Sequence, residues 1–436
     1  MRLLPVAAAA LAALAMMPVA LAANLSEIYA LALAEDAQFA AAVHAAVAGR
    51  EKRVQGQALL RPSVNVTSHL RRNHDMPVSQ SDYRAYSSST VSLTGRQPLL
   101  RWADRATAEQ GELQALLADQ QLRLAEQDLL LRVSRAYFEV LQVQDALVTV
   151  GAQKEAFAQQ LAQARRGFEV GLAPVTDVNE AQTRYDLTLA QEIAARNELE
   201  VKRGNLEKSI QRPLPPLASL DPTTSIDILP ATQLQLLSEF AETNALSVAI
   251  GTTTEMIARF EVEKQDAGHI PTVDIVGSVG RSLNPNYVFF SQQTKVASIG
   301  VEIAVPLYQG GGISSRGREA AAQLARAQSE LDNFRRQARL DARQAKLGVQ
   351  TGTALNQALR QAVSSSETQV RSTQRGLEVG LRSRVDVLNA EQQLFTTRRD
   401  LSAARYQTLI AGLQLKAVAG VISEADLKAL DTLLKD

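Results

Sequence analysis

Two hydrophobic patterns divide this chain. In four short stretches, apolar residues recur at every second position. Val273, Ile275, Gly277 and Val279 alternate with Thr272, Asp274, Ser278 and Gly280, and Val276 alone breaks the polar set. Ile299, Val301, Ile303, Val305 and Leu307 alternate with Ser298, Gly300, Glu302 and Ala304. Two earlier stretches do the same less cleanly: Val64, Val66 and Leu70 against Asn65, Thr67, His69 and Arg71, then Val91 and Leu93 against Thr90, Ser92, Thr94 and Arg96. A period of two gives a strand one apolar and one polar face, and every charge among these residues falls on the polar face. Strands are expected at about 62–71, 87–97, 271–281 and 296–307.

The second pattern is helical. From Trp102 to Glu169 there are 68 residues without a proline, and the 130 residues after Pro306 contain none. Their Ala, Leu, Gln, Glu and Arg are strong helix formers. A helix of that length reaches roughly 100 Å at ~1.5 Å per residue, too long for one domain core to cover. Leu129, Leu131, Val133, Tyr137, Val140 and Leu141 sit among regularly placed alanines, which suits close lateral packing of helices. Gly348 and Gly352 are the weak point of the second long helix, where a bend or a tight crossing is expected.

Both patterns occur twice. Gly171 and Gly380 are 209 residues apart, and so are Asp177 and Asp386, Pro62 and Pro271, and the AAR triplets at 194–196 and 403–405. One offset shared by four landmarks marks a tandem duplication. The first repeat spans 23–211, with a long helical hairpin at 102–211. The second spans 241–421, with its hairpin at 313–420. A linker at 212–240 joins them, and its first part, 212–230, holds five of the fourteen prolines. A short segment, 422–436, follows.

Composition narrows the setting. Arg2, an alanine-rich apolar run and the Ala20-Leu21-Ala22 site have the layout of a secretory signal peptide at 1–22; the competing reading is a membrane-spanning helix, against which the two prolines and the cleavage site argue. No later run offers ~18 uncharged apolar residues. The chain has no cysteine, so disulfides, thiolate metal sites and a lipid-bearing cysteine are excluded. With 46 basic and 46 acidic residues, no global field draws it to nucleic acid.

Each alternating stretch has ~9–12 residues, the length of a tilted strand crossing a bilayer. The intervening loops, 72–86 and 282–295, hold Tyr83, Tyr86, Tyr287, Phe289 and Phe290. Trp102 and Tyr308 lie just past the opposite ends, so aromatics stand where two membrane–water interfaces would be. Surface hairpins of a soluble sheet alternate in the same way. Four membrane strands cannot stand alone, because open edges leave backbone groups unpaired in hydrocarbon at several kcal/mol each. Sister subunits must supply the rest; two copies give eight strands and three give twelve, and passage of cargo favours three or more.

Specific segments then carry a resemblance that covers nearly all of the mature chain. "RAYFEVL", "QKEAF", "FEVGLAPVTDVNEAQTRYD", "DAGHIPTVDI", "VPLYQGG" and "VGLRSRVDVLNA" resemble the TolC family of outer-membrane channel-tunnel proteins, the exit ducts of type I secretion and multidrug efflux. The resemblance implies a membrane α+β fold: a homotrimeric 12-stranded outer-membrane β-barrel, four strands per chain, continuous with a long periplasmic α-helical barrel. It implies a periplasmic adaptor (membrane fusion protein), an inner-membrane ABC or RND-type transporter and outer-membrane lipid as partners, and no cofactor.

The doubled "Glu-Val-Gly-Leu" corner is then the tip of each helical hairpin. Gly171 and Gly380 suit helix C-caps, Pro174 suits a first turn, and Asp177 and Asp386 suit helix N-termini. In the family, the tips close the periplasmic mouth, and its gate pair falls here on Asp177 and Arg382. Its two acidic constriction rings fall on Asp386 and Asn389, so one ring lacks its carboxylate and weaker cation binding is expected. Leu377 stands where the family has an aromatic tie. Val170, Gly171, Leu172, Val379, Gly380 and Leu381 match the family's adaptor contacts, where exposed valine and leucine make sense.

Other motifs carry little. "YQGGGISSRG" mimics a phosphate-binding turn but lacks Gly-Lys-Ser/Thr and reads as a linker. His44, His69, His74 and His269 show no metal-ligand spacing, and no nucleophile motif appears. A non-porous periplasmic coiled-coil scaffold is the alternative to the duct.

Overall fold

The computed structural model describes residues 22–75, 84–221, 224, 230–284 and 292–435. The expected signal peptide lies outside the described residues save for Ala22, as do Tyr83, Tyr287, Phe289 and Phe290 and residues 222–223 and 225–229 of the proline-rich linker. In chain order the elements are α1 (Leu25–Glu35), α2 (Ala37–Ala58), β1 (Ser63–Asp75), β2 (Arg84–Leu100), α3 (Trp102–Glu169), α4 (Val175–Ile210), β3 (Ser219–Leu220), α5 (Ala231–Asn244), α6 (Leu246–Asp266), β4 (Thr272–Asn284), β5 (Gln292–Ala304), α7 (Gly312–Glu378), α8 (Arg384–Val418), α9 (Glu424–Asp431) and β6 (Leu434–Lys435). They group into two units, one of residues 43–122 and 247–334 and one of the rest.

The first of these units holds a four-stranded antiparallel sheet in the order β1-β2-β4-β5. Its register sets Val66, Leu93, Val279 and Ala297 side by side, then Val64, Gly95, Gly277 and Ile299. These apolar side chains stand open: Leu70 and Ile299 are each 83% exposed. The opposite face carries hydroxyls that pair across strands, Thr67 with Ser92 at 2.7 Å, Thr90 with Ser282 at 3.2 Å and Ser278 with Ser298 at 2.8 Å. β1 and β5 have no further neighbour among the described residues.

The strand bounds differ from those drawn by alternation. Toward the loops the ladder continues through Arg72 and Lys295 and past Arg281 to Asn284; these three charges fall on the otherwise apolar face and end the alternation before the strand ends. At the other end β5 stops at Ala304, so Val305 and Leu307 lie beyond it; Pro306, lacking an N–H, cannot extend the ladder. The buried Asp274 carboxylate is held there by Arg101 Nε at 2.8 Å and faces Arg96 Nε at 3.4 Å. Its charge is thereby compensated rather than buried alone.

The other unit centres on Tyr137, Phe138, Leu129, Val133 and Leu141 of α3. They pack with Leu25 and Ile28 of α1, Leu206 and Ile210 of α4, Tyr406 and Leu409 of α8, and Leu427 of α9. Tyr137 Oη donates to the carbonyls of Ala23 (3.1 Å) and Ala218 (2.9 Å), joining the long helix to the segments around the β3–β6 pair. Gly348 and Gly352 do not break α7, which is continuous from Gly312 to Glu378. They make the tight crossing: a Cβ on Gly352 would collide with Thr408 of α8, and Asn356 Nδ2 donates to Thr408 Oγ1 at 2.8 Å beside it.

Candidate functional site at the hairpin tips

Each long helix ends on a glycine in the left-handed region, Gly171 at φ 74° and Gly380 at φ 77°. At the first tip, Leu172 N and Ala173 N donate to Gly167 O at 2.7 and 3.1 Å. At the second, Leu381 N and Arg382 N donate to Gly376 O at 2.8 and 3.1 Å. This closes the helix on its own last carbonyls, the αL termination that glycine permits. The turn throws its apolar residues outward: Val170 and Val379 are each 68% exposed, and Leu172 and Leu381 more so.

The following helices start differently. α4 has Pro174 at its N-cap and no side-chain cap. α8 has Ser383, whose Oγ accepts from Asp386 N at 3.2 Å while Asp386 Oδ2 accepts from Ser383 N at 2.9 Å, a full capping box. The Ser383 N–H and hydroxyl, with Arg382 nearby, hold the Asp386 carboxyl below its ordinary range. Asp386 is thus occupied as a cap within its own chain.

The gate pair expected of Asp177 and Arg382 does not form within the chain. Asp177 faces Arg384 Nε at 3.7 Å instead. The reason is local: the stem of Arg382 folds over Gly376, where a Cβ would meet its Cγ at 2.7 Å, whereas Arg384 occupies the first turn of α8 and is largely covered. Arg382 lines an open concavity of about 610 Å³ with Asp386, Asn389, Thr373 and Gln393. Asn389 is also engaged: its Oδ1 accepts from Arg184 Nη2 of α4 at 3.1 Å, and Arg184 in turn bonds Glu180. The structure therefore joins the two hairpins through Asp177–Arg384 and Arg184–Asn389. The family's position points to the first arginine of "RSR", whereas the structure uses the second, Arg384; no spacing in the sequence marks Arg184.

Trp102 opens α3 and is 45% exposed, with the Arg105 guanidinium 5.0 Å from its ring centre, and Tyr308 is 86% exposed after β5. Among the described residues no group of His, Asp and Glu could hold a metal ion.

The outer membrane efflux protein family model matches residues 28–210 and 241–421, one stretch in each half. This chain belongs to that family. It is 34% identical over 418 residues to the proteases secretion protein PrtF of Dickeya chrysanthemi, covering 93% of this chain and 90% of the relative. It is 31% identical to the outer membrane protein TolC of Vibrio cholerae, covering 94% of each. In fold it is similar to VceC of Vibrio cholerae, with a TM-score of 0.78, 17% identity and coverage of 91% and 96%. The protein is thus a TolC-family outer-membrane exit duct with a periplasmic helical portion, and not an enzyme.

Proposed function

We propose that three copies close a twelve-stranded barrel in the outer membrane and a helical barrel beneath it, and that the hairpin tips gate the duct. The observation that carries this is the sheet: an exposed apolar face, a hydroxyl-lined opposite face and two outer strands without neighbours among the described residues. In hydrocarbon such edges are costly until another strand pairs with them. The barrel's inner surface is then the hydroxyl face, and Trp102 and Tyr308 mark the periplasmic interface.

In this reading the exposed Val170, Leu172, Val379 and Leu381 meet a periplasmic adaptor, which couples the duct to an inner-membrane ABC or RND-type transporter. The cargo is secreted protein. PrtF and the alkaline protease secretion protein AprF of Pseudomonas aeruginosa, 32% identical over 415 residues, support that choice. Two tests address it. Deleting the gene should abolish export of the strain's secreted proteases; intact export with raised drug sensitivity would move the cargo to small molecules. Purified protein should run as a detergent-dependent trimer whose planar-bilayer conductance rises in Asp177→Ala and Arg384→Ser, and less in Arg382→Ser. Unchanged conductance in all three would remove the gate, and a monomer soluble without detergent would remove the barrel.

A further inference from the structure

Five residues beyond Asp386, α8 buries a carboxyl group. Glu391 is 6% exposed. Its Oε1 accepts from Gln160 Nε2 at 3.3 Å and from Gln374 Nε2 at 3.2 Å. Gln160 belongs to α3 of the first hairpin and Gln374 to α7 of the second, so one side chain ties three helices. Its surroundings are apolar: Leu388, Ala390 and Leu394 flank it on α8, and Phe157 and Leu161 flank Gln160 on α3.

Two atoms at this junction lack a partner. Glu391 Oε2 and Gln160 Oε1 are buried and accept no hydrogen bond from the described residues. An ionised carboxylate has no hydrogen to give, so both would remain as unmet acceptors, each at the full desolvation cost. A carboxylic acid has one. With a proton on Oε2, acid and amide complement each other, the amide N–H toward Oε1 and the acid O–H toward the amide oxygen. The charge would otherwise sit buried with no cation against it.

We propose that Glu391 is a protonated positioning residue that clamps the second hairpin onto the first, and that loss of its proton loosens the tip. This rests on the tip being the gate. Burial raises the Glu391 pKa above its usual 4.5, against the smaller opposing effect of the two amides. Many charged groups on the packed elements are engaged elsewhere, among them Arg384 of α8, which faces Asp177 at 3.7 Å. On α3, Lys154 pairs with Glu192 and Arg165 bonds Gln182. On α7, Glu367 pairs with Arg398 of α8, and Arg371 bonds Thr368. On α4, Arg184 bonds Glu180 and Asn389; on α8, Asp386 caps its helix. Because the packed state holds the proton more tightly than an open one, the clamp is complete at acid pH. It weakens as pH rises from about 4.5 through the raised value.

Two measurements test this on the purified trimer. Infrared spectra of the wild type should show a protonated-carboxyl band, above the usual carboxylate pH range, that Glu391→Gln removes. In planar bilayers, wild-type conductance should step upward severalfold as pH rises through the titration of that band. Glu391→Gln, an isosteric neutral replacement, should lose the step and stay low, while Asp177→Ala stays open at every pH. Absence of the band, or a step that persists in Glu391→Gln while Asp177→Ala opens, overturns the inference and leaves the gate standing. If Asp177→Ala and Arg384→Ser leave conductance unchanged, the gate reading falls and the conductance part of this inference falls with it. The infrared band then still decides the proton.

Discussion

The two hairpin tips share a backbone and differ in chemistry. Their glycines lie within a few degrees of one another, and the hydrogen bonds that close the two turns match to about 0.1 Å. Yet Pro174 stands where Ser383 stands in the other repeat, and Val175 where Arg384 stands. The consequence falls on the aspartate both tips keep. With a serine to cap, Asp386 turns back onto its own helix start. With a proline, which offers neither hydroxyl nor N–H, Asp177 is left facing Arg384 of the other hairpin. A duplicated corner thus preserves the turn, while two substitutions beside it turn one carboxylate into a cap and the other into a link between hairpins.

The largest effect should come from the part that is common. Gly171→Val and Gly380→Val each place a β-branched residue at positive φ, at about 1–2 kcal/mol. Among the described residues no atom lies within 4 Å of a Cβ at either site, so the cost is backbone strain. Unfolding of the detergent-solubilised protein, followed by circular dichroism against denaturant, should show equal losses. A clearly larger loss at Gly380 would break the equivalence of the corners.

The next effect should separate them. Ser383→Ala removes a cap and should cost about 1 kcal/mol. Pro174→Ala removes only a restriction on the unfolded chain, about 0.5 kcal/mol. Ser383→Ala has a second consequence: it frees the Asp386 carboxylate from the hydroxyl, so divalent cations should block the pore more strongly than in wild type. In Asp386→Ala the block should weaken. Equal block in all three proteins would show that Asp386 does not face the conducting path.

The duplication, the four strands and the glycine corners were legible because they follow from local rules: period two, helix formers without proline, and a residue that tolerates positive φ. What the sequence hid depends on direction in space. Whether Arg382 or Arg384 reaches Asp177 is decided by where Gly376 lets a side chain lie, and no spacing rule records that. Glu391 reads as one more polar helical residue in "NAEQQLF", and only packing shows that its neighbours are two amides. The strand ends differ from their alternation for the opposite reason: hydrogen bonding continues past the point where Arg72, Arg281 and Lys295 interrupt the pattern.

The smallest effect is the sharpest probe of the difference between the two aspartates. The Asp386 carboxyl is partly exposed, and its low pKa comes first from the Ser383 N–H, then from the Ser383 hydroxyl, with Arg382 as a lesser contributor. A depressed folded value means the cap is complete above the usual 3.8 and is lost as pH falls through the lowered one. Carboxyl carbon NMR of aspartate-labelled protein should therefore show Asp386 titrating below ordinary aspartates. Ser383→Ala should bring it most of the way back, since it deletes the hydroxyl and loosens the turn that aims the N–H. Arg382→Ala should move it less, because a solvent-exposed charge is screened at ordinary salt. If Arg382→Ala moved it more, the capping box would not be what distinguishes the second tip, and Arg382 would regain the electrostatic role that the turn over Gly376 denies it.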